Sequence, residues 1–449
     1  MMLRLSLLAL LGARALGAQP GVLPNVKSGG SPNVRVVSHI PLGGFFKVGD
    51  VALEQDVRRP FAYVAQSLDQ AGFVAIDLRV PEHATVLRRW RIERADQHQG
   101  LGGVTVRYFQ SGGRTFLVLG TQFARGTLDA DLAAIVFDVT GLPDTASIRE
   151  VARIRAPDMP GGVRDLFTYK HSSGRPLLIA AVRGAQANVY DLDAVVGGQG
   201  AAALVGRVPI PASGAAAAGD DGYDGIFAGY DPAASQDKFY GAGRGGYFIY
   251  DISRVESPLL LTSVVGAAGV TRGGSIAPTP DGRYIVGSTG YQYSPLRLFD
   301  LGPGLAGKSQ TISRPVGAWT ADWHDAARAA EVRWPLAFVS SMEDGLQVIN
   351  VVDPSNPVTV GWHFTCLCAH ETGFDSAERP QGTSVVNGAI AVDVRNADGL
   401  IAVSDASTGF WLFRLDGFGG WRGADWSMPD VSRAQDWSRG AIAPKSLVP

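Results

Sequence analysis

The chain has 449 residues, of which 46% are hydrophobic and only 18% are charged, and it contains 57 glycines. Its net charge of −2 excludes a general attraction to nucleic acid or to anionic lipid. A large apolar fraction with frequent glycine and few charges is typical of many short strands joined by tight turns.

Residues 1–18 are predicted to be an export signal peptide. A short basic start at 1–4 precedes an apolar run at 5–11, and small residues at 15–18 offer a cleavage site. The run is too short to span a bilayer and no second apolar run of membrane length follows, so no transmembrane segment is expected. The prediction is a periplasmic or secreted protein, and a cytosolic chain with an apolar start is the alternative.

Seven copies of one sequence phrase follow. In each copy an apolar strand leads through a polar turn to a second strand that ends at a polar residue. The paired strands are predicted at 61–65 and 72–77, 116–119 and 135–138, 177–180 and 188–191, 239–241 and 247–253, 284–286 and 296–300, 336–340 and 345–350, and 400–403 and 410–414. This spacing indicates propeller blades rather than helical repeats.

An inner strand before each pair and a third strand after it complete each copy, except that the last copy lacks the outer strand. Inner strands are predicted, for example, at 103–106, 225–228 and 385–388. The predicted fold class is therefore all-β, a β-propeller of seven four-stranded blades over residues 33–416. A strand at 34–40 is expected to pair into the last blade and close the ring, which removes exposed edges. Two packed sandwich domains are the alternative fold.

Two of the copies match a known repeat pattern. They read GFVAID at 72–77, and GLQVIN at 345–350 followed by DPSNPV at 353–358. These phrases resemble the LVIVD-repeat family of bacterial β-propeller proteins, and the resemblance covers most of the chain after the signal. It implies an exported propeller. It implies little about activity, because propellers carry many functions.

Charged residues recur at the starts of the predicted inner strands. Aligning the copies back from the turn before each second strand places these residues around one mouth of the central channel. The candidate ligand-binding residues are Asp50, Arg164, Asp165, Asp224, Arg272, Asp322 and His324. Both signs of charge in a concave mouth suit a small polar ligand or a protein partner. A solvated channel whose charges pair with one another is the alternative.

Two of these local clusters resemble metal sites. Residues 322–325 read Asp-Trp-His-Asp, and imidazole and carboxylate groups suit several divalent metals. Residues 220–225 faintly resemble a calcium loop, but the remote glutamate and the spacing of that motif are missing, so a turn is favoured there.

The two cysteines, Cys366 and Cys368, stand close together in a predicted loop between the sixth and seventh copies. Export exposes them to an oxidising compartment, so a disulfide between them is expected. The alternative is a soft-metal site that combines Cys368 with His363, His370 and Glu371.

The last segment, 417–449, is polar and without period, which predicts a tail that wraps the surface or is disordered. No Gly-x-Ser-x-Gly elbow, phosphate loop, dinucleotide fingerprint or His-Glu-x-x-His motif occurs, and no basic patch for nucleic acid. The favoured function is an exported, monomeric, non-catalytic binding scaffold with an unidentified ligand or partner. The alternative is an enzyme at the channel mouth, a metal-assisted oxidoreductase or hydrolase. The cofactor stays unassigned.

Overall fold

The structure is a computed structural model that describes residues 29–44, 47–211, 222–289, 294–308, 310–321, 326–365, 388–429, 435 and 437. Seven sheets occur in these ranges, and strands that are consecutive in sequence are neighbours in almost every sheet. The inner strand of each sheet contacts the inner strands of the sheets on either side, all the way round a ring. The predicted class, an all-β propeller of seven four-stranded blades, is confirmed.

The first strand, β1 (Val34–Ile40), precedes the first blade and belongs to the last one. Blade 1 consists of β2 (Val48–Leu53), β3 (Phe61–Gln66), β4 (Gly72–Asp77) and β5 (Thr85–Arg91). Blade 2 consists of β6 (Gly100–Ser111), β7 (Arg114–Phe123), β8 (Leu132–Asp138) and β9 (Arg149–Arg155). Blade 3 consists of β10 (Val163–Lys170), β11 (Pro176–Val182), β12 (Gln186–Asp191) and β13 (Leu204–Pro209), with the short helix α1 (Leu192–Val196) between its last two strands.

Four further blades complete the ring. Blade 4 consists of β14 (Tyr223–Asp231), β15 (Gln236–Gly243), β16 (Gly246–Asp251) and β17 (Leu259–Val265). Blade 5 consists of β18 (Gly273–Pro278), β19 (Tyr284–Thr289), β20 (Leu296–Asp300) and β22 (Gly317–Trp319), with helix α2 (Gly302–Leu305) and the two-residue strand β21 (Thr311–Ile312) between β20 and β22. Blade 6 consists of β23 (Ala327–Arg333), β24 (Leu336–Ser341), β25 (Gly345–Asn350) and β26 (Val358–His363). Blade 7 contains β27 (Ala389–Val394), β28 (Ile401–Asp405) and β29 (Gly409–Leu415).

The composition of each strand follows its place in the blade. Both middle strands of blade 1, β3 and β4, are buried at every residue because neighbouring blades cover both of their faces. Strands in that position read as continuous apolar runs. The outer strand β5 carries three arginines, and none of its residues is fully buried. The core is therefore a set of apolar layers between adjacent blades, such as the layers on either side of blade 1.

Strand β1 supplies the outer strand of blade 7. It pairs antiparallel with β29, from Val34 opposite Leu415 to Ile40 opposite Phe410. Gly409 begins β29 with a φ of 107°, and a side-chain carbon at this position would clash with the carbonyl oxygen of Ile40. The predicted closure of the ring by an N-terminal strand is confirmed, and it covers an edge that blade 7 would otherwise expose.

Three details differ from the sequence-based expectation. The inner strand of blade 7 is β27, which begins just after the predicted range 385–388, and residues 385–387 lie outside the described residues. Strand β21 adds a fifth, parallel strand to blade 4 by pairing with β17. Helix α1 begins where Asp191 accepts hydrogen bonds from two following backbone N–H groups. Elements this short leave no measurable periodicity in the sequence.

Candidate functional site

Charged side chains line the channel mouth at the starts of the inner strands. All seven inner strands shift their pairing register near their starts. The shift falls around Asp50 in β2, around Arg164 and Asp165 in β10, and around Asp224 in β14, while Arg272 immediately precedes β18. A bulge of this kind re-aims a side chain out of the alternating pattern of the strand.

Asp224 is the meeting point of two arginines from neighbouring blades. Arg164 of blade 3 donates from Nη1 to Oδ1 of Asp224. Arg272, at the entry to blade 5, donates from Nη2 to the same oxygen at 2.8 Å and from Nε to Oδ2. The side chains of Arg164, Asp224 and Arg272 are 10%, 21% and 27% exposed. Three successive blades thus build one ionic cluster that is partly dehydrated and still open to the channel.

Two more arginines act on this cluster through their charge. Burial lowers the pKa of the Arg183 guanidinium, and the positive charges of Arg164 and Arg125 lower it further. Burial also lowers the pKa of Arg328 on β23. The Arg328 side chain keeps an exposed surface although the blades surround it. Because arginine stays protonated in proteins, these side chains place fixed positive charge around Asp224.

The ionisation of Asp224 is governed by two opposed effects. Burial raises the pKa of Asp224, because removing a carboxylate from water disfavours its charged form. The charges of Arg164, Arg328 and Arg183 lower it, but burial is the larger effect. A carboxyl group whose pKa is shifted by burial and by neighbouring charges in opposite directions is typical of functional clefts.

Asp50 and Asp165 are joined by a residue that sequence reasoning missed. Arg107 of β6 donates from Nη1 to Asp50, and its Nη2 lies 3.5 Å from Oδ1 of Asp165. Asp50 also accepts from Oγ1 of Thr105 at 2.7 Å. The Arg107 side chain is only 7% exposed. An arginine within an otherwise apolar strand was the available signal, since a buried arginine requires a carboxylate partner.

Three inner-strand aspartates make the same pair of backbone contacts. In Asp50, Asp165 and Asp393, Oδ1 accepts the N–H of the next residue at 2.8–2.9 Å. In each, Oδ2 accepts an amide from the inner strand of the following blade, namely Val106 at 3.3 Å, Ile226 at 3.0 Å and Leu53 at 2.7 Å, respectively. These contacts tie adjacent blades together. They favour the paired-charge interpretation for Asp50 and Asp165, and ligand binding by these two residues stays a prediction.

Four of the predicted residues, Asp322, His324, Cys366 and Cys368, lie outside the described residues. The described His363 donates from Nδ1 to the carbonyl oxygen of Phe364 at 2.8 Å, and burial lowers the pKa of its imidazole. Within the described ranges, no three His, Cys, Asp or Glu side chains are grouped so as to hold a metal ion. No helix in those ranges has the length and apolar character needed to cross a membrane.

Two described residues of the C-terminal segment, Gln435 and Trp437, lie near the far ends of the inner strands. A cavity of about 20 Å³, room for a single water, lies there between the inner strands and the tail residues Gln435 and Trp437. Lys170 donates from Nζ to the carbonyl oxygen of Trp437 at 2.9 Å, and the Trp437 indole lies edge-on to Phe109 with ring centroids 6.3 Å apart.

Comparison with known proteins shows the fold alone. No family model and no curated protein matches the chain. A chain of the mitotic checkpoint complex crystal structure is 10% identical, with a TM-score of 0.53, over 92% of this chain and 99% of that chain. Raptor from Chaetomium thermophilum is 11% identical, with a TM-score of 0.54; the match covers 85% of this chain and 29% of Raptor's. At such identities a shared architecture carries no function across.

Proposed function

We propose that this protein is an exported β-propeller that serves as a non-catalytic binding scaffold, with a small polar ligand held at the mouth where the inner strands start. The observation that carries this proposal is the convergence of Arg164, Asp224 and Arg272 from three successive blades. A cluster assembled across blade boundaries depends on the complete ring, so it is a site that a single blade cannot form.

The chemistry of the cluster suits recognition. A guanidinium carries five N–H donors in a planar fork, whose geometry matches the oxygens of carboxylate and phosphate groups. Polar contacts in a concave and partly dehydrated mouth are stronger than in bulk water. Arginine does not exchange its proton near neutral pH, and both Asp224 oxygens accept from arginines. The cluster is therefore better suited to holding a ligand than to moving protons.

Export is the second part of the proposal. It rests on the signal-like sequence of residues 1–18 and on the resemblance to the LVIVD-repeat family. After expression of the full chain in a bacterium, cell fractionation should find the protein in the periplasm or the medium, and N-terminal sequencing should find Gln19 first. A cytosolic protein that retains residues 1–18 would contradict this part.

Binding at the mouth is tested by calorimetric titration with three polar probes, citrate, spermidine and glucose. We expect one of them to bind at one site per chain. If the probe is citrate or glucose, Arg272→Gln should weaken that binding about tenfold or more, the usual effect of removing a hydrogen bond to a charged group; if it is spermidine, Arg272→Gln should strengthen it, because a positive charge is removed. The matched control is Arg283→Gln, because Arg283 of the same blade pairs with Asp300 and is 58% exposed. If no probe distinguishes folded wild type from folded Arg272→Gln, the mouth is not the binding site.

A further inference from the structure

A groove lies on the face opposite the mouth, where blades 7, 1 and 2 meet. Its volume is about 510 Å³, which is in the range of small-molecule sites. Its walls come from the β2–β3 and β4–β5 connections of blade 1, the β8–β9 connection of blade 2 and the β27–β28 turn of blade 7. These connections lie at the far ends of the inner strands, so the groove is separate from the Asp224 cluster.

Two connections of blade 1 present an arginine to this groove in the same way. Arg58 donates from Nε and Nη2 to Asp56 at 3.0 and 2.8 Å, and Arg79 donates from Nε and Nη2 to Asp77 at 2.8 and 2.5 Å. Each aspartate also accepts the backbone N–H of its arginine at 2.9 Å. Each Asp-x-Arg turn therefore fixes one edge of a guanidinium and leaves its Nη1 edge for a ligand.

Arg395 brings a buried donor to the same groove. Its side chain is 3% exposed, and its Nε and Nη2 donate to Asp398 at 2.8 and 2.7 Å. Its Nη1 is buried and meets no acceptor among the described residues. A buried charged donor without an acceptor costs free energy. Because Arg395 lines the groove, an anionic group seated there would supply that acceptor.

Apart from Arg59, which pairs with Glu54, and Asp398, the remaining walls of the groove are apolar. Val57 and Leu78, the middle residues of the two Asp-x-Arg turns, line it together with Leu142 of blade 2. Val57 is 51% exposed, although burying a valine side chain is favourable. Apolar walls with a few fixed polar groups are the usual composition of a small-molecule site. The groove thus offers contacts to an anionic group and to an apolar body at once.

We propose that this groove binds a small organic anion, in which a carboxylate, sulfonate or phosphate group is attached to an apolar body. Arg395 holds the anionic group together with Arg58 and Arg79, and the apolar body covers Val57 and Leu142. Guanidinium groups suit this role because their planar forks match the oxygens of such anions. The volume of the groove favours one small molecule over an extended peptide.

Two fluorescent probes test the proposal on the full chain. These are 8-anilino-1-naphthalenesulfonate and N-phenyl-1-naphthylamine, which share one apolar body and differ by the sulfonate. We expect the sulfonate probe to bind at one saturable site, about tenfold tighter than the neutral probe, because the charged hydrogen bonds are made only by the sulfonate. Equal affinity for the two probes would overturn the proposal.

Substitutions locate the site. Arg58→Gln combined with Arg79→Gln should weaken binding of the sulfonate probe about tenfold. Both side chains are largely exposed, at 85% and 59%, so folding should be kept, as checked by circular dichroism. Arg395→Gln should weaken it as well. The matched control is Arg207→Gln on blade 3, since Arg207 pairs with Asp158 and is 40% exposed.

Two outcomes of the substitution series would contradict the proposal. One is sulfonate-probe binding that the Arg58→Gln/Arg79→Gln variant leaves unchanged while it stays folded. The other is that the sulfonate probe does not bind, whereas a hexaglutamate peptide binds and loses its affinity in the Arg58→Gln/Arg79→Gln variant. The occupant would then be an acidic protein segment.

Discussion

The channel mouth uses the same kinds of side chain in two different ways. On one side Arg107 is enclosed between Asp50 and Asp165, and these carboxylates also accept backbone N–H groups from two blades. On the other side Asp224 accepts from Arg164 and Arg272. Arg107 is 7% exposed and Arg272 is 27% exposed. Arg164, at 10% exposure, is nearly as buried as Arg107, so the contrast lies between Arg107 and Arg272. It teaches that one arginine of the mouth is enclosed between carboxylates while the other keeps part of its surface in the solvent.

The two sides of the mouth exist only in a closed ring, so opening the ring should have the largest effect on stability. Removing residues 1–40 takes away β1, exposes the edge of β29 and uncovers the apolar residues packed against it. We expect a loss of stability greater than about 5 kcal/mol, beyond that of ordinary single substitutions. Urea unfolding followed by circular dichroism measures it. A truncated protein with the wild-type midpoint would show that the ring does not need β1.

The two sides should respond differently to removal of a carboxylate. Asp165→Ala takes an acceptor from two backbone amides and from the buried Arg107, so we expect a loss of about 3 kcal/mol. Asp224→Ala removes a carboxylate whose burial opposes its ionisation, so relief of that burial offsets part of the lost ion pairing, and a loss of about 1 kcal/mol or less is expected. Urea unfolding of both variants measures the difference. A larger loss for Asp224→Ala would reverse the assignment of the two sides.

The blades could be predicted because their signals are local. Apolar runs such as 72–77 and the glycine turns between strands each involve only a few consecutive residues. The pairing of β1 with β29 could be predicted because the last copy lacks an outer strand and one extra strand precedes the first copy. The partners of Arg107 could not be predicted, because Asp50 and Asp165 lie on two other blades and only the folded ring brings them to the arginine. The Asp-x-Arg turns at 56–58 and 77–79 are visible in the sequence, but only the fold brings them to one groove.

The smallest expected effect is in the pH dependence of stability, and its sign should differ between Asp224 and Asp398. Burial raises the pKa of Asp224 above its ordinary value of 3.8, so its contribution to stability is present at low pH and lost as pH rises through the folded pKa. For Asp398, burial is outweighed by hydrogen bonds and charge from Arg395 and Arg414, which lower the pKa. Its contribution is present above the ordinary value and lost as pH falls through the folded pKa.

Urea unfolding between about pH 3 and pH 7 checks both signs, since this range spans the ordinary pKa of aspartate. Relative to wild type, Asp224→Asn should gain stability as pH rises, and Asp398→Asn should lose it. Parallel curves for the two variants would mean that Asp224 is held in the same way as Asp398, as a structural ion pair.

The most direct test of the division within the mouth is urea unfolding of Arg107→Met beside Arg272→Met. Removing Arg107 takes a nearly buried cation away from two carboxylates that are 11% and 13% exposed, so the account predicts a loss of about 3–5 kcal/mol. Removing the more exposed Arg272 should cost about 1 kcal/mol or less. Equal losses, or a larger loss for Arg272→Met, would contradict the account by showing that both sides of the mouth hold the ring together.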